Sequence, residues 1–179
     1  MKALLDACVL YPTVTREMLV GVAGEGAFTP LWSERILEEW ARATRKLGPS
    51  EEAYARGEVA ALRAAWPKAE VALNAGLMAR LHLPDPDDIH VLAAAIAGSA
   101  DIIVTFNASD FPRETLAAEA LQRMDPDQFL RTLFDAKPDA VRRVAERVLA
   151  EAQRLSGEPW EMRALLKKAR LPKLGKLLG

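Results

Sequence analysis

The sequence predicts an α/β fold with a central parallel sheet, and two observations point to this fold and to its functional edge. Short apolar strand patterns alternate with longer helix patterns along the chain, which is typical of a parallel sheet covered by helices. Single acidic residues stand at the ends of apolar patterns, as Asp6 does after Ala3, Leu4 and Leu5. Functional groups of such folds gather beyond the carboxyl ends of the strands. Lone carboxylates gathered there are costly unless a cation neutralises them, so the sequence also predicts a divalent-metal site.

The predicted strands are short, and the predicted helices follow them in turn. Strand patterns cover residues 2–5, 28–32, 101–106 and 120–124, and Pro30 weakens the second of these as a strand. Helix patterns cover residues 15–22, 33–46, 50–66, 86–98, 126–136 and 138–155, and a short basic helix pattern ends at residue 170. Residues 68–83 are compatible with either a helix or irregular chain.

Capping residues mark where several of these helices begin. Ser33 and Ser50 each stand immediately before a helix pattern, where a hydroxyl can accept a hydrogen bond from the first turn. The dipeptide Asp-Pro occurs at 85–86 and again at 125–126, which places an N-cap before a proline at the first helical position. The helix after the first Asp-Pro is nearly all Ala, Ile, Leu and Val, so we expect it to be buried.

Length and charge predict a domain with an appendage. A chain of 179 residues is expected to form one domain, or one domain and a small addition. We place the domain at 1–125 and a helical C-terminal extension at 126–179. Residues 1–135 carry 13 Lys and Arg against 20 Asp and Glu, whereas residues 136–179 carry 11 against 5. The basic tail indicates either contact with a polyanion or acidic partner, or simply a solvated helical surface.

Composition excludes several classes of protein. No apolar run approaches the roughly 18 residues that a membrane span needs, so we expect a cytoplasmic protein without a membrane partner. The single cysteine, Cys8, excludes an internal disulfide and a cysteine-based zinc site. Only two histidines, His82 and His90, are present, which argues against a histidine-rich centre. Any metal must therefore be held by oxygen, and this favours Mg²⁺ or Mn²⁺.

Four acidic residues are candidates for that site. Asp6 directly follows the first strand, and Asp110 follows the apolar strand 101–106 by a few residues, with Asn107 between them. Asp88 belongs to a run of acids at the start of the buried helix, where capping by Asp85 and attraction to the helix dipole are the structural alternatives. We select Asp88 as a ligand and Asp87 as the second choice, because three acids exceed what one cap requires.

Helical geometry separates the two neighbouring glutamates. At about 100° per residue, Ile36, Trp40 and Leu47 belong to one apolar stripe of the helix. Glu39 lies on the margin of that stripe, whereas Glu38 lies roughly opposite it, near Arg35 and Arg42. We therefore expect Glu38 to be solvated and Glu39 to reach the edge of a cleft, although Glu39 could also be an ordinary charge at the rim.

These residues and their order resemble the PIN-domain ribonucleases, in particular the VapC-like toxins of toxin–antitoxin pairs. The resemblance covers about residues 1–125. It rests on four segments: Leu4-Leu5-Asp6-Ala7-Cys8-Val9-Leu10, Ser33-Glu34-Arg35-Ile36-Leu37-Glu38-Glu39-Trp40, Asp85-Pro86-Asp87-Asp88-Ile89-His90-Val91-Leu92-Ala93-Ala94-Ala95 and Val104-Thr105-Phe106-Asn107-Ala108-Ser109-Asp110-Phe111. The helical C-terminal appendage is also similar to that of a subgroup of the family.

The resemblance implies both a fold and an activity. The fold would be a three-layer α/β/α arrangement with a central parallel sheet of four to five strands. The activity would be hydrolysis of single-stranded RNA with Mg²⁺ or Mn²⁺, leaving a 5′-phosphate. The family's acidic residues fall on Asp6, Glu39, Asp88 and Asp110, with metal ligation by the three aspartates and support from Thr105. A cognate antitoxin and a homodimer are the implied protein partners.

Two positions depart from the family pattern. Cys8 stands where asparagine is common, and a thiol is a poor substitute for the hydrogen-bonding role of an amide. Asn107 stands where many members have another aspartate, which removes one negative charge from the site.

Other interpretations remain open at this point. A phosphatase of the haloacid-dehalogenase type needs Asp-x-Asp after the first strand, and the chain has Asp6-Ala7-Cys8 instead. A catalytically inactive PIN-fold module that binds RNA or docks a protein is the main alternative. Basic residues that could attract RNA lie on the early helices and in the tail: Arg16, Arg42, Arg45, Lys46, Lys167, Lys168, Arg170, Lys173 and Lys176. Trp32 and Trp40 could stack bases, but their helical apolar spacing is more typical of the core.

Overall fold

The computed structural model describes all residues 1–179, and it has the predicted α/β fold. Four strands form one parallel sheet: β1 (Lys2–Leu5), β2 (Thr29–Leu31), β3 (Ile102–Val104) and β4 (Gln122–Met124). Their order across the sheet is β2-β1-β3-β4, and Leu4 pairs with Leu31 on one side and Ile103 on the other. The sheet has four strands, within the predicted four to five, and helices flank it.

Eleven α-helices and three 3-10 helices accompany the sheet. The α-helices are α1 (Ala7–Leu10), α2 (Thr13–Gly24), α3 (Glu34–Ala43), α4 (Pro49–Ala65), α5 (Ala75–Arg80), α6 (Ile89–Ala97), α7 (Arg113–Ala118), α8 (Pro126–Ala136), α9 (Pro138–Ser156), α10 (Met162–Lys168) and α11 (Pro172–Leu178). The 3-10 helices are Thr44–Leu47, Pro86–Asp88 and Ala108–Asp110. No helix is both long enough and apolar enough to cross a membrane.

The chain divides into two compact units. The first contains Met1–Tyr11 and Thr29–Met124, and it holds the sheet with helices α1 and α3–α7. The second contains Pro12–Phe28 and Asp125–Gly179, and it holds helices α2 and α8–α11 and no strand. The domains 1–125 and 126–179 stay a prediction, and the compact units differ from them in where residues 12–28 belong.

The second unit packs helix against helix around a core of its own. Gly21 of α2 lies so close to α9 that a Cβ atom there would be 2.6 Å from Val144 Cγ1. Phe28 and Phe129 meet edge to face with their ring centroids 5.0 Å apart. The buried Asp127 of α8 accepts hydrogen bonds from the backbone N–H groups of Lys173 and Leu174 and so caps α11.

Most strands and long helices occur near their predicted positions, with local differences. The predicted helix 33–46 ends as an α-helix at Ala43 and continues as a 3-10 helix, and the predicted helix 86–98 begins with a 3-10 turn. Residues 68–83 contain α5, which Asn74 caps. Helices α1, α7 and α11 were not predicted, since each has four to seven residues and no strong local signal.

Candidate functional site

The candidate site begins where two neighbouring strands end. Asp6 directly follows β1, and Thr105 directly follows β3, which pairs with β1 in parallel. The two side chains therefore meet at the same edge of the sheet, and Thr105 Oγ1 donates a hydrogen bond to Asp6 Oδ2 at 2.7 Å. The backbone N–H of Asn107 donates in turn to Thr105 Oγ1 at 3.0 Å. Thr105 thus fixes the orientation of Asp6, and its supporting role in the chemistry stays a prediction.

Asp6 is buried, with 6% of its surface exposed. Its other oxygen, Oδ1, accepts the N–H of Ala7 at 2.7 Å, so the same carboxylate caps α1. Burial raises the pKa of Asp6 above its usual range, although the hydrogen bonds from Thr105, Cys8 and Ala7 lower it in part. The nearby charge of Glu39 also raises the pKa of Asp6. The carboxylate is therefore held in a place where its negative charge is unfavourable without a cation.

Cys8 makes more hydrogen bonds than the sequence led us to expect. Its thiol donates to Asp6 Oδ2 at 3.3 Å, and its sulfur accepts the N–H of Phe106, also at 3.3 Å. Thr105 Oγ1 lies 3.4 Å from the same sulfur. Burial, followed by the charge of Asp6, raises the pKa of Cys8 to about 12. The group is thus a neutral thiol near neutral pH.

Asp88 is held at the N-terminus of α6 without being used as a cap. The predicted cap, Asp85, is confirmed, because its side chain accepts the N–H of Asp87 at 2.9 Å. Asp88 occupies the N-cap position of α6, but its side chain makes no capping hydrogen bond. Its carboxylate therefore remains available for another role. The exposed Asp87 makes no comparable side-chain contact at the site, and its supporting role stays a prediction.

Other acidic side chains lie near Asp88 and change its pKa. Burial and then the negative charges of Asp6, Asp110 and Asp85 raise this pKa to about 6 from an ordinary value of 3.8, while His90 lowers it. Asp110 closes the 3-10 helix Ala108–Asp110 and is partly exposed. Asp6 and Asp110 therefore each lie close enough to Asp88 for their charges to act on it, although about a hundred residues separate Asp6 from Asp110 in the sequence.

Glu39 of α3 lies near Asp6, and two basic side chains contact it. His90 Nε2 lies 2.8 Å from Glu39 Oε1, and Arg35 Nε lies 3.3 Å from the same oxygen. Burial alone would raise the pKa of Glu39, but the hydrogen bonds and charges of His90 and Arg35 outweigh it, and the pKa is lowered. Glu39 is therefore a carboxylate near neutral pH.

Glu38 has different partners, but it is not the more solvated of the two glutamates, because its side chain is 34% exposed and that of Glu39 is 40% exposed. Glu38 forms ion pairs with Arg42 and Arg56 on the surface of the first unit. Its pKa is lowered to about 2, chiefly by the hydrogen bonds from Arg56 and Arg42. The expectation that Arg35 also accompanies Glu38 was wrong, because Arg35 bonds to Glu39, four residues further along the helix.

The donor set suits a hard cation, but it does not form a closed cage. No group of three or more His, Cys, Asp or Glu side chains is arranged to hold one metal ion. Mg²⁺ keeps several of its waters and takes one or two carboxylates, so it does not require such a cage. The available donors are carboxylate oxygens, and a cation among them would relieve the repulsion that raises the pKa of Asp88. The donors present are therefore of the chemical type that Mg²⁺ and Mn²⁺ prefer.

Several other candidates lie outside this group. Trp32 and Trp40 are buried, with 0% and 2% of their surfaces exposed, so they belong to the core and cannot stack bases. Arg42 and Arg45 are occupied by Glu38 and Glu52. Asn107 is exposed and its side chain does not cap the 3-10 helix that follows it. His90 was expected to be a structural donor and not a catalyst, and its contact with Glu39 is compatible with that expectation.

Comparison with known proteins gives the family. A family model described as "PIN domain" matches residues 2–109. Over 57 residues, the chain is 39% identical to a protein of Mycobacterium tuberculosis (strain ATCC 25618 / H37Rv) named "Putative ribonuclease VapC50". That match covers 32% of this chain and spans about a third, 34%, of the relative. No solved structure matches the chain. The predicted resemblance is confirmed, and since the family match covers more than half of the sequence, this chain belongs to the PIN-domain family.

Proposed function

We propose that the protein is a metal-dependent endoribonuclease that hydrolyses phosphodiester bonds of single-stranded RNA. The observation that carries the proposal is the position of Asp88, where burial and then the negative charges of Asp6 and Asp110 raise its pKa to about 6. Acids that are held together at a cost in stability are typical of functional sites. Membership of the PIN-domain family supports the same activity.

Asp6, Asp88 and Asp110 would hold Mg²⁺ or Mn²⁺. When bound, such an ion supplies charge neutralisation for the phosphate and assists deprotonation of the attacking water. Thr105 and Cys8 keep the Asp6 carboxylate oriented through their hydrogen bonds to Oδ2.

Glu39 would accept a proton from water or orient it, and its ionised state near neutral pH and its partial exposure support this role. Water adds to phosphorus, the bond to the 3′-oxygen breaks, and the products carry a 5′-phosphate and a 3′-hydroxyl. No protein nucleophile is required.

The biological setting follows from the VapC-like resemblance. We infer that the chain is the toxin of a toxin–antitoxin pair, acts on RNA in the cytoplasm, forms a homodimer and is neutralised by a small cognate antitoxin. Support comes from the name of the mycobacterial relative, over the third of that protein that matches.

The test is cleavage of single-stranded RNA in Mg²⁺, Mn²⁺ or EDTA by the wild type and Asp88→Asn. Cutting should require the metal and fall by at least about 10²-fold in the variant, which is the scale of losing a key group of the transition state. Asp135→Asn, an exposed aspartate of α8, is the matched control and should cut like the wild type. Equal activity of wild type and Asp88→Asn would refute the assignment.

A module that binds RNA or a protein without cutting is the second candidate. The lack of a ready-made group of three ligands favours it. Such a module would bind RNA equally well in Mn²⁺ and in EDTA and would yield no 5′-phosphate product, so the same assay separates the two.

A further inference from the structure

The two C-terminal helices carry a surface of one charge. Between residues 162 and 179 the sequence contains six basic residues and no acidic one. These residues, here called the basic hairpin face, are all exposed: Arg163, Lys167, Lys168, Arg170, Lys173 and Lys176. Four leucines of the same segment turn inward, since Leu165, Leu166, Leu171 and Leu174 are each at most 4% exposed, whereas Leu177 is 42% exposed. The pattern therefore leaves only positive charge on the solvent side.

The hairpin that presents this face is well anchored. Gly175 of α11 approaches α10 so closely that a Cβ atom there would lie 3.2 Å from Leu166 Cβ. The N–H of Leu171 donates to the carbonyl of Leu166 at 2.8 Å, which closes the turn between the helices. Asp127 caps α11 with bonds of 3.0 and 2.9 Å. The basic side chains thus project from a fixed scaffold.

Three lysines of this face are not neutralised within the chain. Arg143 and Arg147 pair with Glu25, and Arg154 pairs with Glu151, but Lys167, Lys173 and Lys176 make no ion pair. Arg163 and Lys167 are four residues apart, and Lys173 and Lys176 are three apart. Like charges at these spacings share a helix face and repel each other. A bound polyanion would remove that repulsion.

We propose that the basic hairpin face binds the sugar–phosphate backbone of single-stranded RNA. Residues 1–135, which include the acidic site, carry 13 Lys and Arg against 20 Asp and Glu, so affinity for a polyanion must come from elsewhere. Arg42, Arg45 and Arg56 are occupied by carboxylates, whereas Lys167, Lys173 and Lys176 make no ion pair and lie together on one short hairpin. The ring of Trp160 is partly exposed and its centroid lies 4.8 Å from Lys168 Nζ. Bases of single-stranded nucleic acids stack on aromatic side chains of this kind. The choice of RNA rests on the proposed function.

The experiment measures RNA binding separately from cutting. A fluorescein-labelled single-stranded oligouridine of about 20 nucleotides is titrated by anisotropy with the full chain in EDTA, at several salt concentrations. The test variant is Lys167→Gln/Lys173→Gln/Lys176→Gln. The control is Lys68→Gln/Arg123→Gln/Arg131→Gln. These three residues lie outside the basic hairpin face and make no ion pair, so the control removes the same number of positive charges. Circular dichroism confirms that both variants are folded.

The hairpin variant should bind at least about 10-fold more weakly at low salt, and its log–log salt slope should fall by up to about 2, or ~0.7 for each phosphate that the variant no longer neutralises. The control should bind like the wild type. If the hairpin variant binds RNA as the control does, the proposal is wrong, and an acidic protein becomes the better partner for this face. Cleavage is scored independently: RNA binding without any metal-dependent cutting would refute the proposed function and leave this inference standing.

Discussion

His90 Nε2 lies 2.8 Å from Glu39 Oε1 and links the buried helix α6 to the partly exposed edge of α3. His90 is 1% exposed, while the Glu39 side chain is 40% exposed. The other ring nitrogen, Nδ1, is buried without a hydrogen-bond partner. The only polar contact of the His90 ring is therefore with the Glu39 carboxylate. This contact identifies His90 as a positioning residue for Glu39.

Replacing His90 tests this role. His90→Phe fills the same apolar space but removes the donor, so the pKa of Glu39 should rise, because burial is then opposed by Arg35 alone. His90→Gln keeps an N–H donor and is the matched control. The pKa is measured by NMR titration of the Glu39 side-chain carboxyl in EDTA. An unchanged pKa in His90→Phe would contradict the positioning role.

Asp88→Asn should stabilise the metal-free protein at neutral pH. The pKa of Asp88 is about 6 in the folded state, against an ordinary 3.8, so the folded state retains the proton more tightly than the unfolded chain. The free energy of unfolding of the wild type therefore falls as pH rises from about 4 to 6, and the loss is complete above that range. After allowance for screening at this partly exposed group, removing the charge should gain about 1 kcal/mol at pH ~8 and nothing below pH ~4.

Urea unfolding in EDTA at several pH values measures this effect. Asp87→Asn removes an exposed negative charge at the same helix end and should change the stability by less than about 0.5 kcal/mol. If Asp88→Asn is less stable than the wild type at neutral pH, the acids do not repel one another as described.

Cys8 should be an unreactive thiol in the metal-free protein. With a pKa of about 12, only about one molecule in 10⁴ carries the thiolate at pH ~8, so alkylation should be roughly 10³-fold slower than in the urea-unfolded chain. Asp6→Asn removes a charge that raises this pKa and should accelerate the reaction. Rates with iodoacetamide in EDTA provide the measurement. Labelling of the folded wild type at the unfolded rate would show that the Asp6–Cys8 contact is absent.

Asp127→Ala should loosen the C-terminal hairpin. The change leaves the N–H groups of Lys173 and Leu174 without their acceptor, which costs about 1–3 kcal/mol when such groups are buried. Hydrogen exchange at the Leu174 amide should accelerate correspondingly. Asp135→Ala, at an exposed position of the same helix, is the control and should leave exchange unchanged. Equal protection in both variants would mean that Asp127 does not hold α11.

Local signals in the sequence account for much of the fold. The apolar run before Asp6 identified β1 at its observed bounds, and the second Asp-Pro placed the start of α8 correctly. Helix α11 was missed because its N-terminus is satisfied by Asp127, about 45 residues away, and not by a neighbouring cap. Such a contact has no signature in the local sequence.

The candidate site also has some features that the sequence predicted and others that it could not. The strand ends and the buried helix predicted that Asp6, Asp88 and Asp110 would come together, and the pKa of Asp88 agrees with their proximity. The sequence could not show that Arg35 turns towards Glu39, or that the Cys8 thiol joins Asp6 to Thr105 and Phe106. Both depend on side-chain directions that are set only after the strands and helices pack.

Binding of Mn²⁺ tests the central claim most directly. Calorimetric titration of the wild type should show binding that weakens by at least about 10-fold in each of Asp6→Asn, Asp88→Asn and Asp110→Asn, because each removes a charged donor from one shared site. Asp135→Asn should bind as the wild type does. If the wild type takes up no Mn²⁺, or if all three aspartate variants retain its affinity, these carboxylates do not form a metal site.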